Sequence, residues 1–187
     1  MPLMFWLIGL FLQWKVRTLR SSKNALGFSS DKSLRLSVII PARNEVPKIG
    51  KLLESVQKQS FAPYEVIVVD DESTDDTALI TQSYGVKIMK SKPIPTGWLG
   101  KPWACWQGAQ AAKGDALLFL DADTWLARNG LENIVWEFRE KGGFLTVQPY
   151  HVTEKRYEQL SAFFNIIIMA GFNAFTFLGE KIKPSGG

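Results

Sequence analysis

Short apolar runs alternate with amphipathic stretches through the middle of the chain, and their spacing predicts a succession of strands and helices. "RLSVII" (Arg35 to Ile40) reads as a strand, which Pro41 is expected to stop. "VPKIGKLLESVQKQ" puts Val46, Ile49, Leu52, Leu53 and Val56 on one face of a helix, with Pro47 where a helix start tolerates it. "YEVIVVDDESTDDT" is a second, deeply apolar strand that ends in acids. Asp75, Asp76 and Thr77 then open a helix whose dipole favours their charge, and Gly85 ends it. "VKIM" is a third strand. A proline- and glycine-bearing loop (Pro93 to Gly100) precedes a helix from about Pro102 to Ala112, closed by Gly114. "ALLFL" is a fourth strand, "GLENIVWEFREK" a helix and "FLTVQP" a further strand. Apolar strands separated by helices predict an α/β fold built on a mainly parallel sheet. In such sheets ligands gather at the carboxyl ends of the strands.

The two ends have a different pattern. "LMFWLIGLFLQW" (Leu3 to Trp14) is apolar and uncharged, and "KVRTLR" follows at once. It is shorter than the about 20 residues of a bilayer span and lacks the parts of a secretory signal. It reads as a short membrane anchor or interfacial segment, with Lys15, Arg17 and Arg20 holding the cytoplasmic side of the cell membrane; an N-terminal core helix is the alternative. "LSAFFNIIIMAGFNAFTFLG" (Leu160 to Gly179) also carries no charge, but Asn165 and Asn173 would need partners in hydrocarbon. An interfacial helix, the lining of an apolar substrate channel and a buried core helix all accommodate it. The chain thus divides into residues 1–33, an anchor or interfacial segment with a basic linker; residues 34–150, an α/β domain; and residues 151–187, an apolar segment and tail.

Composition narrows the chemistry. A hydrophobic content of 46% with 21% charged residues in 187 positions describes a folded chain able to bury a substantial core. The net charge of +4 tolerates a polyanionic ligand without forming the concentrated basic patch of a nucleic-acid binder. A single cysteine, Cys105, excludes an internal disulfide and reads as inert packing on a helix. A single histidine, His151, argues against a His-rich zinc site or a Ser-His-Asp triad.

Three strand ends supply the candidate site: "PARNE" (Pro41 to Glu45), "DDES" (Asp70 to Ser73) and "DAD" (Asp121 to Asp123). Acids after strands often cap the following helix, and that reading stands for Asp75 and Asp76. It fits Asp121 and Asp123 less well, because their alternation is not the pattern of a cap. Carboxylates held close together repel one another, and a hard divalent cation, which favours carboxylate and phosphate oxygens, relieves that repulsion. The acids are therefore expected to hold a metal against a phosphorylated ligand. Trp98, Trp103 and Trp106 are open between core packing and stacking on a ligand.

"LSVIIPARNE", "VIVVDDESTDDT", "GWLGKPWACWQGAQAAKGD" and "LLFLDADTW" occur in the order and spacing of family 2 glycosyltransferases, and Leu34 to Tyr150 resembles that family. "GWLGKPWACWQG" and "VQPYH" resemble a bacterial branch acting on lipophilic acceptors such as carotenoids or hopanoids. The resemblance implies a GT-A nucleotide-sugar-binding fold and inverting transfer from a nucleotide diphosphate sugar, UDP-linked by expectation, to a hydroxyl or carboxyl. It places Pro41, Ala42, Arg43 and Glu45 under the base and ribose, Asp71 with Asp70 at the uracil ring, and Lys101 near the donor phosphates. It makes Asp121 the first acid of a DxD motif, facing the ribose or the metal's waters, and Asp123 the direct ligand of Mg²⁺ or Mn²⁺.

The family's catalytic base has no match between Tyr150 and Gly187, where Glu154, Glu158 and Glu180 are the acids. The base is therefore expected beyond Gly187, and the chain is expected to be a C-terminally truncated fragment. A catalytically incomplete nucleotide-sugar-binding module at a membrane is the alternative. "LLFLDADT" also fits the first motif of a DxDxT phosphatase, and "VIVVDDES" with "FLDAD" imitates a phospho-receiver. The placement of these motifs along the chain suits neither.

Overall fold

Pro41, expected to end the first strand, lies inside it. In the computed structural model, which describes residues 34–147 and 149, β1 runs Leu36–Ala42 and is buried throughout. The Leu120 amide donates to the Ile39 carbonyl, so odd-numbered residues of β1 direct their backbone groups toward the strand on that side. That neighbour, β4 (Ala116–Phe119), makes its last pair at Ile39↔Phe119. Pro41 therefore lacks an N–H where no ladder partner asks for one, and β1 continues through it.

The other elements follow the sequence pattern. They are α1 (Val46–Gln57), β2 (Glu65–Asp70), α2 (Thr77–Ser83), β3 (Lys87–Lys90), α3 (Gly100–Ala111) and α4 (Gly130–Lys141). The four strands form a parallel sheet in the order β3-β2-β1-β4. The chain steps from β1 outward to β3, then returns through α3 to place β4 on the other side of β1. The order therefore reverses between β1 and β4, where open parallel sheets form their ligand crevice.

Alternation along the strands divides the core between two faces. Leu36, Val38 and Ile40 of β1 and Val68 of β2 pack with Ile49, Leu52, Leu53 and Val56 of α1 and Leu131 and Val135 of α4. Ile39, Ile67 and Val69 pack on the opposite face with Ala104 of α3. Fully burying each Ile, Leu or Val is worth about 1.5–3 kcal/mol, which fixes register, since a one-residue slip exchanges the faces.

Two glycines set how closely the layers approach. A Cβ on Gly108 would stand 2.5 Å from Ile39 Cγ2 and 3.1 Å from Val69 Cγ2, so α3 seats directly on the sheet only because that atom is absent. Gly114 does not close α3, which ends at Ala111. It lets the chain pass the Arg35 carbonyl, 2.5 Å from where its Cβ would be. The helix also begins earlier than its proline suggests, with Pro102 inside the first turn.

The expected strand at "FLTVQP" is not a strand over residues 144–147. Gly142 and Gly143 both take positive φ after α4, and Phe144 is 93% exposed. An apolar run becomes a strand only where a neighbour accepts its ladder and covers its face, and this one meets neither condition among the described residues. The apolar runs Leu3 to Trp14 and Leu160 to Gly179, His151, Glu154, Glu158 and Glu180 lie outside the described residues. Among those that are described, no helix is long and apolar enough to cross a membrane.

Candidate functional site

The carboxyl ends of β1, β2 and β4 bring the three sequence segments to one rim. Ala42 is buried at the end of β1, and Arg43 leaves it with its side chain 58% exposed. Arg43 Nη1 stands 3.9 Å from Asp71 Oδ2, so the first and second segments meet through opposite charges. Asp70 and Asp71 are both buried, and the Asp71 amide donates to the Ala42 carbonyl across the strand ends. The Asp70 carboxylate braces the turn that follows by accepting from the Ser73 amide at 3.2 Å.

A second layer of contacts, absent from the sequence reading, fixes this rim. Asn44 adopts φ 56°, a left-handed conformation that asparagine tolerates. Its amide donates to Ser73 Oγ, and its side-chain oxygen accepts from the Thr74 amide. Glu45 starts α1 with its backbone: its amide donates to Thr77 Oγ1, and its carbonyl accepts from the Ile49 amide. Asp75 ties the two segments together, accepting from the amides of Val46 and Thr77 and from the Thr77 hydroxyl. The Thr77 hydroxyl, outweighing burial, and then those amides hold the Asp75 carboxyl below its ordinary range. The capping reading thus holds for Asp75, while Asp76 makes no capping hydrogen bond with its side chain.

The start of α3 closes on the same point. A Cβ on Gly100 would lie 2.7 Å from Asp71 Oδ2, so the first turn of α3 rests against that carboxylate and only glycine leaves room for it. Neither its position nor its neighbour was visible in the sequence, where Gly100 reads as a loop residue. One residue on, Lys101 Nζ reaches Asp121 Oδ1 at 2.7 Å.

Asp121 and Asp123 owe their alternation to a tight turn. The Thr124 amide and hydroxyl both donate to the Asp121 carbonyl, and Ala122, 4% exposed, plugs into the core between the two acids. Both carboxylates consequently face outward, at 56% and 52% exposure. Asp123 Oδ2 lies 3.7 Å from Lys48 Nζ, a partner the sequence did not announce. No group of three or more metal-ligating side chains occurs among the described residues. Two open carboxylates nonetheless fit a hard divalent cation whose remaining coordination comes from diphosphate oxygens and water.

The three tryptophans divide. Trp103 is anchored through its indole N–H to the Lys92 carbonyl at 2.9 Å. Trp98 meets Trp103 edge-on, with centroids 5.2 Å apart, and lies 6.1 Å from Trp106. Trp98 and Trp106 are 40% and 48% exposed, so core packing does not account for them. Cys105 is half-buried, and burial pushes its thiol up, away from the reactive thiolate.

The family model described as Glycosyl transferase family 2 matches residues 37–182. The chain belongs to that family. The 4,4'-diaponeurosporenoate glycosyltransferase of Staphylococcus aureus (strain USA300) is 42% identical over 149 residues, covering 78% of this chain and 40% of that relative. The chain thus spans well under half the length of this curated relative. The crystal structure of S. aureus TarS 1-349 in complex with UDP-GlcNAc superposes with a TM-score of 0.51 at 29% identity, over 65% of this chain and 37% of that one. Its complex with UDP gives 0.50 at the same identity, over 65% and 38%. With the parallel four-stranded sheet, these likenesses establish the GT-A fold and set aside the phosphatase and receiver readings.

Proposed function

We propose that this domain binds a nucleotide diphosphate sugar, a UDP-sugar by preference, and that the protein it represents transfers the sugar to a lipophilic acceptor. One observation carries the reading. A buried acid, Asp71, and an exposed pair of acids, Asp121 and Asp123, share one rim with Arg43 and Lys101. A nucleoside diphosphate needs such a contrast, because its base seeks a fixed, dry partner and its phosphates seek cations. Support comes from the UDP and UDP-GlcNAc bound by TarS and from the name of the S. aureus relative, which acts on a carotenoid acid.

Each part then has a task. Pro41 and Ala42 form the floor below the base and ribose, Arg43 and Glu45 flank it, and Asp71, beside Asp70, accepts from the uracil ring. Lys101 counters the diphosphate charge at the start of α3, where backbone amides already favour anions. Asp123, with Asp121, would hold Mg²⁺ or Mn²⁺. When bound, that ion supplies Lewis-acid stabilisation of the charge that develops on the leaving diphosphate. Exposed Trp98, just before the helix that carries Lys101, and Trp106 on that helix offer the lipophilic acceptor an apolar approach. The group that takes the acceptor's proton is not assigned among the described residues. Attachment at the cytoplasmic face of the membrane belongs to the same proposal, since a lipophilic acceptor would arrive laterally and the donor from water.

Calorimetry of UDP binding to the full chain, with and without Mn²⁺, tests the core of this reading. Affinity should rise with metal in the wild type, and Asp123→Ala should lose that increment. Binding that ignores both the metal and the substitution would refute the metal role, and absence of any UDP binding would refute the donor site.

A further inference from the structure

A groove of about 490 Å³, lined by none of the candidate-site residues, lies between α1 and the loop that joins Asp123 to α4. Its walls carry Lys51, Lys58 and Arg128, with Glu54 as the one carboxylate, and Trp125 and Leu126 supply apolar surface. Three cations face one acid, and Glu54 is already engaged by Lys58. Among the described residues neither Lys51 nor Arg128 has a carboxylate partner; Lys51 Nζ sits 3.4 Å from the centroid of the Trp125 ring.

The floor of the groove is fixed. Ser55 Oγ accepts from the Leu126 amide at 3.0 Å, and the Gln59 side chain donates to the Ala127 carbonyl and accepts from the Leu131 amide. These bonds hold the loop against α1 with the cations on the rim. A guanidinium and two ammonium groups around one hollow suit a group with several anionic oxygens better than a single carboxylate. Leu126 and Trp125, which is 46% exposed with Lys51 over one face of its ring, suit an apolar or glycerol-like stem attached to that group.

We infer that this groove binds a phosphate monoester or diester carried on such a stem, at a place separate from the donor site. Two sources share that chemistry: the headgroup of an anionic phospholipid in a bilayer and a soluble phosphate ester. Lys48, one turn before Lys51 on α1, pairs with Asp123, so a ligand in the groove would sit beside the acids of the candidate metal site without using them.

The test uses the full chain. Flotation is measured with vesicles of phosphatidylcholine alone and with vesicles containing phosphatidylglycerol, and calorimetry is run with glycerol 3-phosphate and with inorganic phosphate. The paired substitution Lys51→Ala with Arg128→Ala is compared with Lys90→Ala and Lys92→Ala, which remove the same charge elsewhere. Binding should fall about five-fold for each groove cation removed and hardly change in the control pair, with UDP binding intact in both. Binding to phosphatidylglycerol vesicles alone would assign the headgroup, and saturation by glycerol 3-phosphate would assign the soluble ester. Equal losses in the two paired variants, or no binding of any phosphate-bearing probe, would overturn the inference.

Discussion

Asp71 and Asp123 stand on the same rim and are built in opposite ways. Asp71 is 7% exposed, its amide is bonded to the end of β1, and the start of α3 is pressed against its carboxylate. Asp123 is 52% exposed on its side chain, and it makes an open ion pair with Lys48 at 3.7 Å. The first arm is fixed by the backbone and can discriminate by shape before any ligand arrives. The second is held by exchangeable charges, worth about 0–1 kcal/mol each at such exposure, which an incoming cation and diphosphate can replace. In the proposed donor site, that division would let one arm recognise a constant nucleoside and the other release a charged product.

The largest disturbance should come from a change that reaches both arms. Gly108→Ala puts a methyl against Ile39 and Val69 at the centre of the sheet, where neither side chain has room to move. Overpacking of this kind costs about 1–3 kcal/mol. It should lift α3, moving Gly100 and Lys101 together. A lowered denaturant midpoint with weaker binding of both uridine and UDP is expected. Unchanged stability would show that α3 is seated less tightly than its geometry indicates.

Gly100→Ala separates the arms. The added methyl meets Asp71 Oδ2, so the carboxylate or the first helical turn must give way. Uridine and UDP should both bind about ten-fold more weakly or worse, a loss of about 1.4 kcal/mol, with the metal increment retained. Loss of the metal increment alone would place Gly100 with the exposed arm and contradict the comparison.

Lys101→Ala probes the exposed arm by itself. Its pair with Asp121 has both side chains more than half exposed, so unfolding should shift by less than about 1 kcal/mol. Binding of UDP should weaken about five-fold, binding of uridine should not, and added salt should narrow the gap between wild type and variant. Equal loss for both ligands would mean that Lys101 supports the fold of the rim.

What was legible in the sequence follows the same division. Strand alternation predicted β1 to β4 and the convergence of Arg43, Asp71 and Asp121 at neighbouring strand ends, because apolar periodicity and strand ends are local properties, whereas only the family resemblance brought Lys101 to the same rim. The tight packing of Gly100 on Asp71, the brace from Asp75 to Val46 and the pairing of Lys48 with Asp123 span 25 or more positions, and no local pattern encodes them. Two errors share one cause. Pro41 and "FLTVQP" were read by propensity alone, whereas the presence or absence of a neighbouring strand decided each.

The smallest expected effect concerns the opposite end of the sheet, where one carboxylate ties the start of β2 to β1 and to the chain beyond α3. Glu65 begins β2 and accepts from Ser37 Oγ of β1 at 2.8 Å and from the Lys113 amide beyond α3, with Lys87 of β3 3.7 Å away. Burial opposes its ionisation, but the Lys113 amide, the Ser37 hydroxyl and the two lysine charges outweigh that and hold its carboxyl below the ordinary range. A depressed folded-state value means that Glu65 stabilises the fold fully above its unfolded value, about 4.3, and that the benefit fades as pH falls through the lower folded value. Glu65→Gln keeps the shape and removes the charge. Thermal unfolding should show the variant less stable than wild type at pH 7, with the difference shrinking as pH drops below about 4. UDP affinity at pH 7 should hardly change, because the tie lies at the far end of β2 from Asp70 and Asp71. A stability difference that stays constant with pH would show that Glu65 acts through shape alone. A matching fall in UDP affinity would show that the fixed arm depends on the whole length of the sheet.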